Sequence, residues 1–158
     1  MNPNPNDATD TIVLIHGLWM TALSWEHWTE RYRSQGYRVI AESWPGMDGD
    51  IDQVRADTSK YEHLGVTEVA DHYAAIVEAL DSPPIIMGHS FGGLVTQLLL
   101  DRGLGRSGVA IDSAPIKGVL ALPASTLRTG FPALKSPKNK HRAVTLTPDE
   151  FHYAFTNT

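Results

Sequence analysis

At 158 residues, with 42% hydrophobic and 20% charged side chains, the chain has the composition of one folded domain, which excludes a disordered or fibrous polypeptide. The absence of cysteine excludes a disulfide framework and thiolate metal sites. The net charge of −5 is uneven: residues 1–110 carry 7 basic and 15 acidic side chains, and residues 111–158 carry 6 and 3. The basic excess gathers in Lys135, Lys138, Lys140 and Arg142, beside His141. No aromatic side chains are interleaved there, and Pro137 and Asn139 point to a solvated loop, not to a nucleic-acid surface. The polar start, Met1 to Asp7, lacks the charged and apolar regions of an export signal, and the longest apolar runs are too short to cross a bilayer. A cytoplasmic protein with no membrane or nucleic-acid partner is expected.

Residues 1–10 read as a polar tail. Thr11 to Ile15 is a continuous apolar run ending in His16-Gly17, as expected of a strand buried on both faces. Ser24 to Ser34 reads as a helix, with Ser24 as N-cap and Gly36 just past its end. Arg38 to Ala41 is a second strand, stopped by Trp44-Pro45-Gly46. Met47 to Gly65 is acidic and weakly patterned and reads as loop. Its Asp48-Gly49-Asp50-Ile51-Asp52 run imitates a calcium loop, but Gln53 and Ser59 stand where that loop needs glycine and glutamate.

Val66 to Leu80 is an amphipathic helix, with Val69, Tyr73, Ile76, Val77 and Leu80 on one stripe. Ile85 to Met87 is a third strand, Phe91 opens a further helix, and Gly108 to Ile111 is a fourth strand. This alternation predicts an α/β fold, three layers α/β/α around a mostly parallel sheet. Residues 11–115 form its core. From 116 to 158 the periodicity weakens until Thr147-Pro148-Asp149-Glu150, a capping box that starts a last helix.

Chemistry concentrates in Gly88-His89-Ser90-Phe91-Gly92. Between a buried strand and a helix, Gly-x-Ser-x-Gly forms a nucleophile elbow, with the serine on a strained turn and its hydroxyl pushed beyond the sheet. Side chains two residues to either side would strike neighbouring backbone, hence Gly88 and Gly92. The following helix aims free N–H groups and its positive end at the site. His16-Gly17-Leu18-Trp19, after the first strand, stands where a second oxyanion donor is needed. The backbone N–H groups of Leu18 and Phe91 are the candidates.

Ile15 to Trp19, Trp44 to Gly46, Met87 to Gly93 and Ile111 to Pro115 together resemble the α/β-hydrolase superfamily, in particular its capped, lipase/esterase-like and cofactor-free haloperoxidase-like members. The likeness covers about residues 11–155. It implies a serine hydrolase of ester-type substrates acting through a Ser90 acyl-enzyme, without cofactor or metal. It also implies that 116–158 hold a connection and the start of a helical cap, so that the fold is incomplete. His16 and His89 flank Ser90 and, with Trp19, are candidate substrate contacts. Trp19 and Phe91 are expected to line an apolar site, while Trp25 reads equally as lining or core.

Such enzymes carry their acid and histidine after the nucleophile, usually beyond the cap. Asp112, at the end of the fourth strand, is the one candidate acid, with loop capping as its other reading. His141 and His152 follow Ser90 but lie in a loop and in the last helix. Without a general base serine is a poor nucleophile, so this chain alone is expected to be almost inactive. A complementary chain, a second copy or a lost remainder would complete a sheet whose fourth strand otherwise leaves an apolar edge. Haloperoxidase or perhydrolase chemistry shares the triad, and a non-catalytic hydrolase-fold module would lack the base for another reason. A dinucleotide site is disfavoured, because Ser90 replaces the central glycine that lets backbone approach a pyrophosphate.

Overall fold

A computed structural model describes residues 10–119 and 123–156, so most of the expected tail over 1–10 lies outside the described residues. Strands β1 (Thr11–Ile15), β2 (Arg38–Ala41), β3 (Ile85–His89) and β4 (Ser107–Ile111) form one sheet in the order β2-β1-β3-β4. All three pairings are parallel, with Val13 opposite both Ile40 and Ile86, and Met87 opposite Val109. The helices are α1 (Glu26–Ser34), α2 (Ile51–Ala56), α3 (Val66–Glu78), α4 (Phe91–Asp101), α5 (Ala124–Leu134) and α6 (Pro148–Phe155).

The continuous apolar pattern of β1 has a direct cause: successive residues point to opposite faces, and both faces are covered. Val13, Ile15 and Ile86 pack with Val69, Tyr73, Val77, Val95 and Leu99 of α3 and α4. Ile12, Leu14 and Val39 pack on the other face with Trp25. Each such aliphatic side chain contributes roughly 1.5–3 kcal/mol by leaving water. Helices therefore flank the central sheet on two sides, giving the three layers expected. The β4 strand is different. Ser107 to Ala110 are exposed, with Val109 at 44%, and within the described residues β4 pairs only with β3.

Three local expectations need correction. Ser24 does not cap α1: it lies in a 3-10 turn (Ala22–Trp25), its hydroxyl donates to the Thr21 carbonyl, and Trp25 occupies the cap position without a side-chain bond. The stretch Met47 to Gly65 is not all loop. Asp50 and Gln53 close a reciprocal capping box that starts α2, and a 3-10 turn follows at Thr58–Lys60. Helix α5 was hidden by Gly130 and by Pro132, which sits inside it near its C-terminal end. The basic segment after it forms a 3-10 turn over Pro137–His141, of which the His141 side chain lies outside the described residues. Among the described residues no helix is long and apolar enough to cross a membrane.

Candidate active site

Ser90 stands between β3 and α4 with φ 55° and ψ −118°, a conformation that side-chain-bearing residues rarely adopt. Such a residue costs on the order of 1–3 kcal/mol, so its surroundings must hold it. They do so through three backbone bonds. The Ser90 N–H donates to Ile111 O (3.0 Å), and Ser90 O accepts from Ala114 N–H (2.9 Å) and Leu94 N–H (3.2 Å). The glycines on either side are sterically required. A Cβ on Gly88 would overlap the Gly92 carbonyl, and one on Gly92 would overlap Ile15 O and lie 2.7 Å from His16 O. The end of β1, the elbow and the first turn of α4 are thus in backbone contact.

The same closeness joins the two motifs. A Cβ on Gly17 would lie 3.0 Å from the Ser90 Cβ and 3.2 Å from His89 O, so the turn after β1 rests directly on the serine. As the first helical residue, Phe91 has an N–H with no intrahelical acceptor. Among the described residues neither the Leu18 nor the Phe91 N–H is taken by an acceptor, and the Ser90 hydroxyl has no hydrogen-bond partner.

His16 supports this turn from behind. It is 1% exposed, its Nδ1 donates to Gly17 O (2.9 Å), and its Nε2 accepts the Trp44 N–H (3.2 Å). That pattern assigns the proton to Nδ1. The ring stacks on Trp44 with centroids 5.0 Å apart. Burial lowers its pKa to about 4, against a smaller opposing effect of the Gly17 bond, so the imidazole is neutral. Tyr73 of α3 in turn donates its buried hydroxyl to Glu42 O, fixing the start of the segment that carries Trp44. With both nitrogens occupied, His16 has no polar atom to offer a substrate, contrary to its expected role as a contact. It positions the turn instead.

His89 is half-buried beside Gly17, and Phe91 is half-buried at the start of α4. Trp25 is 5% exposed within the core, which decides its reading in favour of packing. Asp112 follows β4 in a left-handed conformation, φ 41°, and is exposed; among the described residues nothing hydrogen-bonds its carboxylate. His152 is exposed on α6 and makes no side-chain bond to Ser90. The structure therefore brings together Gly17, Leu18, Ser90 and Phe91, and does not bring a histidine onto the serine hydroxyl among the described residues.

From Gly17 and Leu18 a cleft of about 630 Å³ opens between the turn, the 47–64 segment, Asn139 and residues 142–146. Ser90 is not part of its lining, but Gly17, which lies against Ser90, is. Its walls are mainly apolar, including Trp19, Met47, Val54, Leu64 and Leu146. Trp19, at φ 62°, closes one side by donating its indole N–H to Val144 O (2.9 Å) and meeting Phe155 edge-on. Most of these lining residues were not legible in advance, although Asp50-x-x-Gln53 would have disclosed the helix carrying Val54. A second groove of about 450 Å³ between α5 and α6 contains no residue of the elbow or of the turn after β1.

The family model described as "Alpha/beta hydrolase family" matches residues 12–156. The chain belongs to the alpha/beta hydrolase family. This α/β-hydrolase is similar to an extracellular alpha/beta-hydrolase from a Paenibacillus species, with 25% identity and a TM-score of 0.69, over 90% of this chain and 57% of that one. It is also similar to a monoacylglycerol lipase from Paleococcus ferrophilus, with 25% identity and a TM-score of 0.55, over 78% of this chain and 48% of that one. Its likeness to epoxide hydrolase I of potato (Solanum tuberosum), at 21% identity and a TM-score of 0.54 over 75% and 38% of the two chains, concerns the fold. The α/β-hydrolase thus spans about half the length of these solved relatives. No curated protein matches it in sequence.

Proposed function

We propose that the chain carries the nucleophile and oxyanion half of a serine hydrolase acting on ester-type substrates. The observation that carries this reading is Ser90 itself. A serine held at φ 55° by three backbone bonds, between glycines that admit no side chain, is an arrangement a purely structural serine does not need. In the proposed reaction Ser90 Oγ attacks the ester carbonyl, and its proton passes to a base. The alcohol then leaves with a proton, and water releases the acid from the acyl-enzyme. The Leu18 and Phe91 N–H groups would take the charge on the carbonyl oxygen, and one such donor is worth about 3–4 kcal/mol of barrier. Ester chemistry is further supported by the lipase among the similar structures, whose name specifies monoacylglycerol.

The base is the part this chain does not present at Ser90 among its described residues. That observation favours one second reading, a hydrolase-fold binding module. Incubation with p-nitrophenyl butyrate, followed by intact-mass analysis, separates the two. Slow butyrylation of one site, absent in Ser90→Ala and accompanied by little turnover, is expected. A chain that acquires no Ser90-dependent adduct would be the binding module instead.

A further inference from the structure

The cleft beside Leu18 combines apolar walls with an unbalanced charge. Two arginines, Arg55 and Arg142, and one carboxylate, Glu62, line it, in a chain whose first 110 residues are strongly acidic. Neither arginine forms an ion pair within the described residues, while Glu62 already accepts a bond from the Thr58 hydroxyl (2.9 Å).

Arg142 differs from an ordinary surface cation in how it is held. The amide nitrogen of Asn139 is anchored to two carbonyls near the end of α5, Pro132 O (3.0 Å) and Ala133 O (3.1 Å). The fixed Asn139 Oδ1 then accepts Arg142 Nε–H at 3.2 Å. The guanidinium is thereby oriented through Nε, and no group among the described residues takes its terminal nitrogens. An arginine fork positioned in this way matches the two oxygens of a carboxylate.

We propose that this cleft binds amphiphilic carboxylates, an apolar body against Trp19, Val54, Leu64 and Leu146 with an anionic end on the Arg142 fork. The cleft volume lies in the ordinary range for small-molecule sites. The inference deepens the ester-hydrolase reading by giving its substrate a carboxylate remote from the scissile bond, as in the half-ester of a dicarboxylic acid. Binding itself requires no reaction at Ser90.

Isothermal titration of the purified chain with octanoate, and with octanamide as the neutral equivalent, tests the proposal. Octanoate is expected to bind about tenfold more tightly than octanamide, the difference between a charge-assisted pair and a neutral one. Arg142→Gln should reduce that preference to about twofold or less, with little change for octanamide. Equal affinities in the unaltered chain, no binding of either probe, or a preference that survives in Arg142→Gln would each overturn it. Ser90→Ala should bind octanoate as the parent does. Butyrylation of Ser90 without octanoate selectivity would sink the inference and leave the serine reading, and the reverse result would sink only the serine reading.

Discussion

Acidification is expected to weaken the fold chiefly through His16, and the size of the effect can be worked from its surroundings. In the folded chain the His16 pKa is about 4, against 6.5 when exposed, because burial disfavours the imidazolium by more than the bond to Gly17 O favours it. As pH falls through 6.5 the unfolded chain takes up the proton, whereas the folded chain does so only near 4. Between those values the unfolded state binds more protons, so stability falls as pH falls; above 6.5 this contribution is constant. Linkage gives a loss of about 2–3 kcal/mol by about pH 4.5, most of the roughly 3 kcal/mol reached once both states are protonated.

Three carboxylates with lowered pKa values act in the same direction. They are Asp10 bonded to Arg106, Asp57 bonded to Ser59, and Glu150 bonded to the Thr147 N–H. Their stabilisation is present at neutral pH and is lost as pH falls through the carboxylate range. They cancel when the parent is compared with His16→Gln. Urea unfolding followed by far-ultraviolet circular dichroism, at neutral pH and at about pH 4.5, should show the variant losing about 2–3 kcal/mol less than the parent. Equal losses would refute the view that a buried, neutral His16 braces the turn.

Two glycines of contrasting surroundings should respond oppositely to alanine. Gly92→Ala drives a Cβ into backbone at the end of β1 and should cost about 3 kcal/mol or more, read from the urea midpoint. Gly130→Ala, in α5 with only Leu134 at 3.5 Å, should be neutral or stabilise by up to about 1 kcal/mol. The β4 edge, unpaired among the described residues and with Val109 exposed, predicts self-association in gel filtration that is reduced by Val109→Lys; a monomer at all concentrations would contradict it.

What could be read in advance follows the strength of local physics. Strand β1 was visible because a parallel sheet covered on both faces demands an unbroken apolar run, as at Thr11 to Ile15, whereas β4 was visible from its short apolar run although its residues are mostly exposed. The elbow was visible because Gly88 and Gly92 are forced by backbone contacts that no other residue permits. Helix α2 was missed because its acidic composition masked the Asp50–Gln53 capping box, and α5 because Pro132 and Gly130 interrupt an otherwise regular Leu127, Phe131, Leu134 spacing. His16 looked like a site residue because motif position shows proximity to Ser90 but not ring direction. Only the Trp44 N–H, 28 residues away, reveals which way its nitrogens face. The cleft was illegible for a similar reason: Trp19 and Val144 meet across 125 residues of sequence.

The central claim is that Ser90 and the turn after His16 form one site for a developing oxyanion. A crystal structure of the chain after reaction with a p-nitrophenyl alkylphosphonate tests this directly. Phosphorus should be bonded to Ser90 Oγ, with the phosphoryl oxygen about 2.7–3.1 Å from the backbone nitrogens of Leu18 and Phe91. An adduct on another residue, or a phosphoryl oxygen turned away from both amides, would contradict the account.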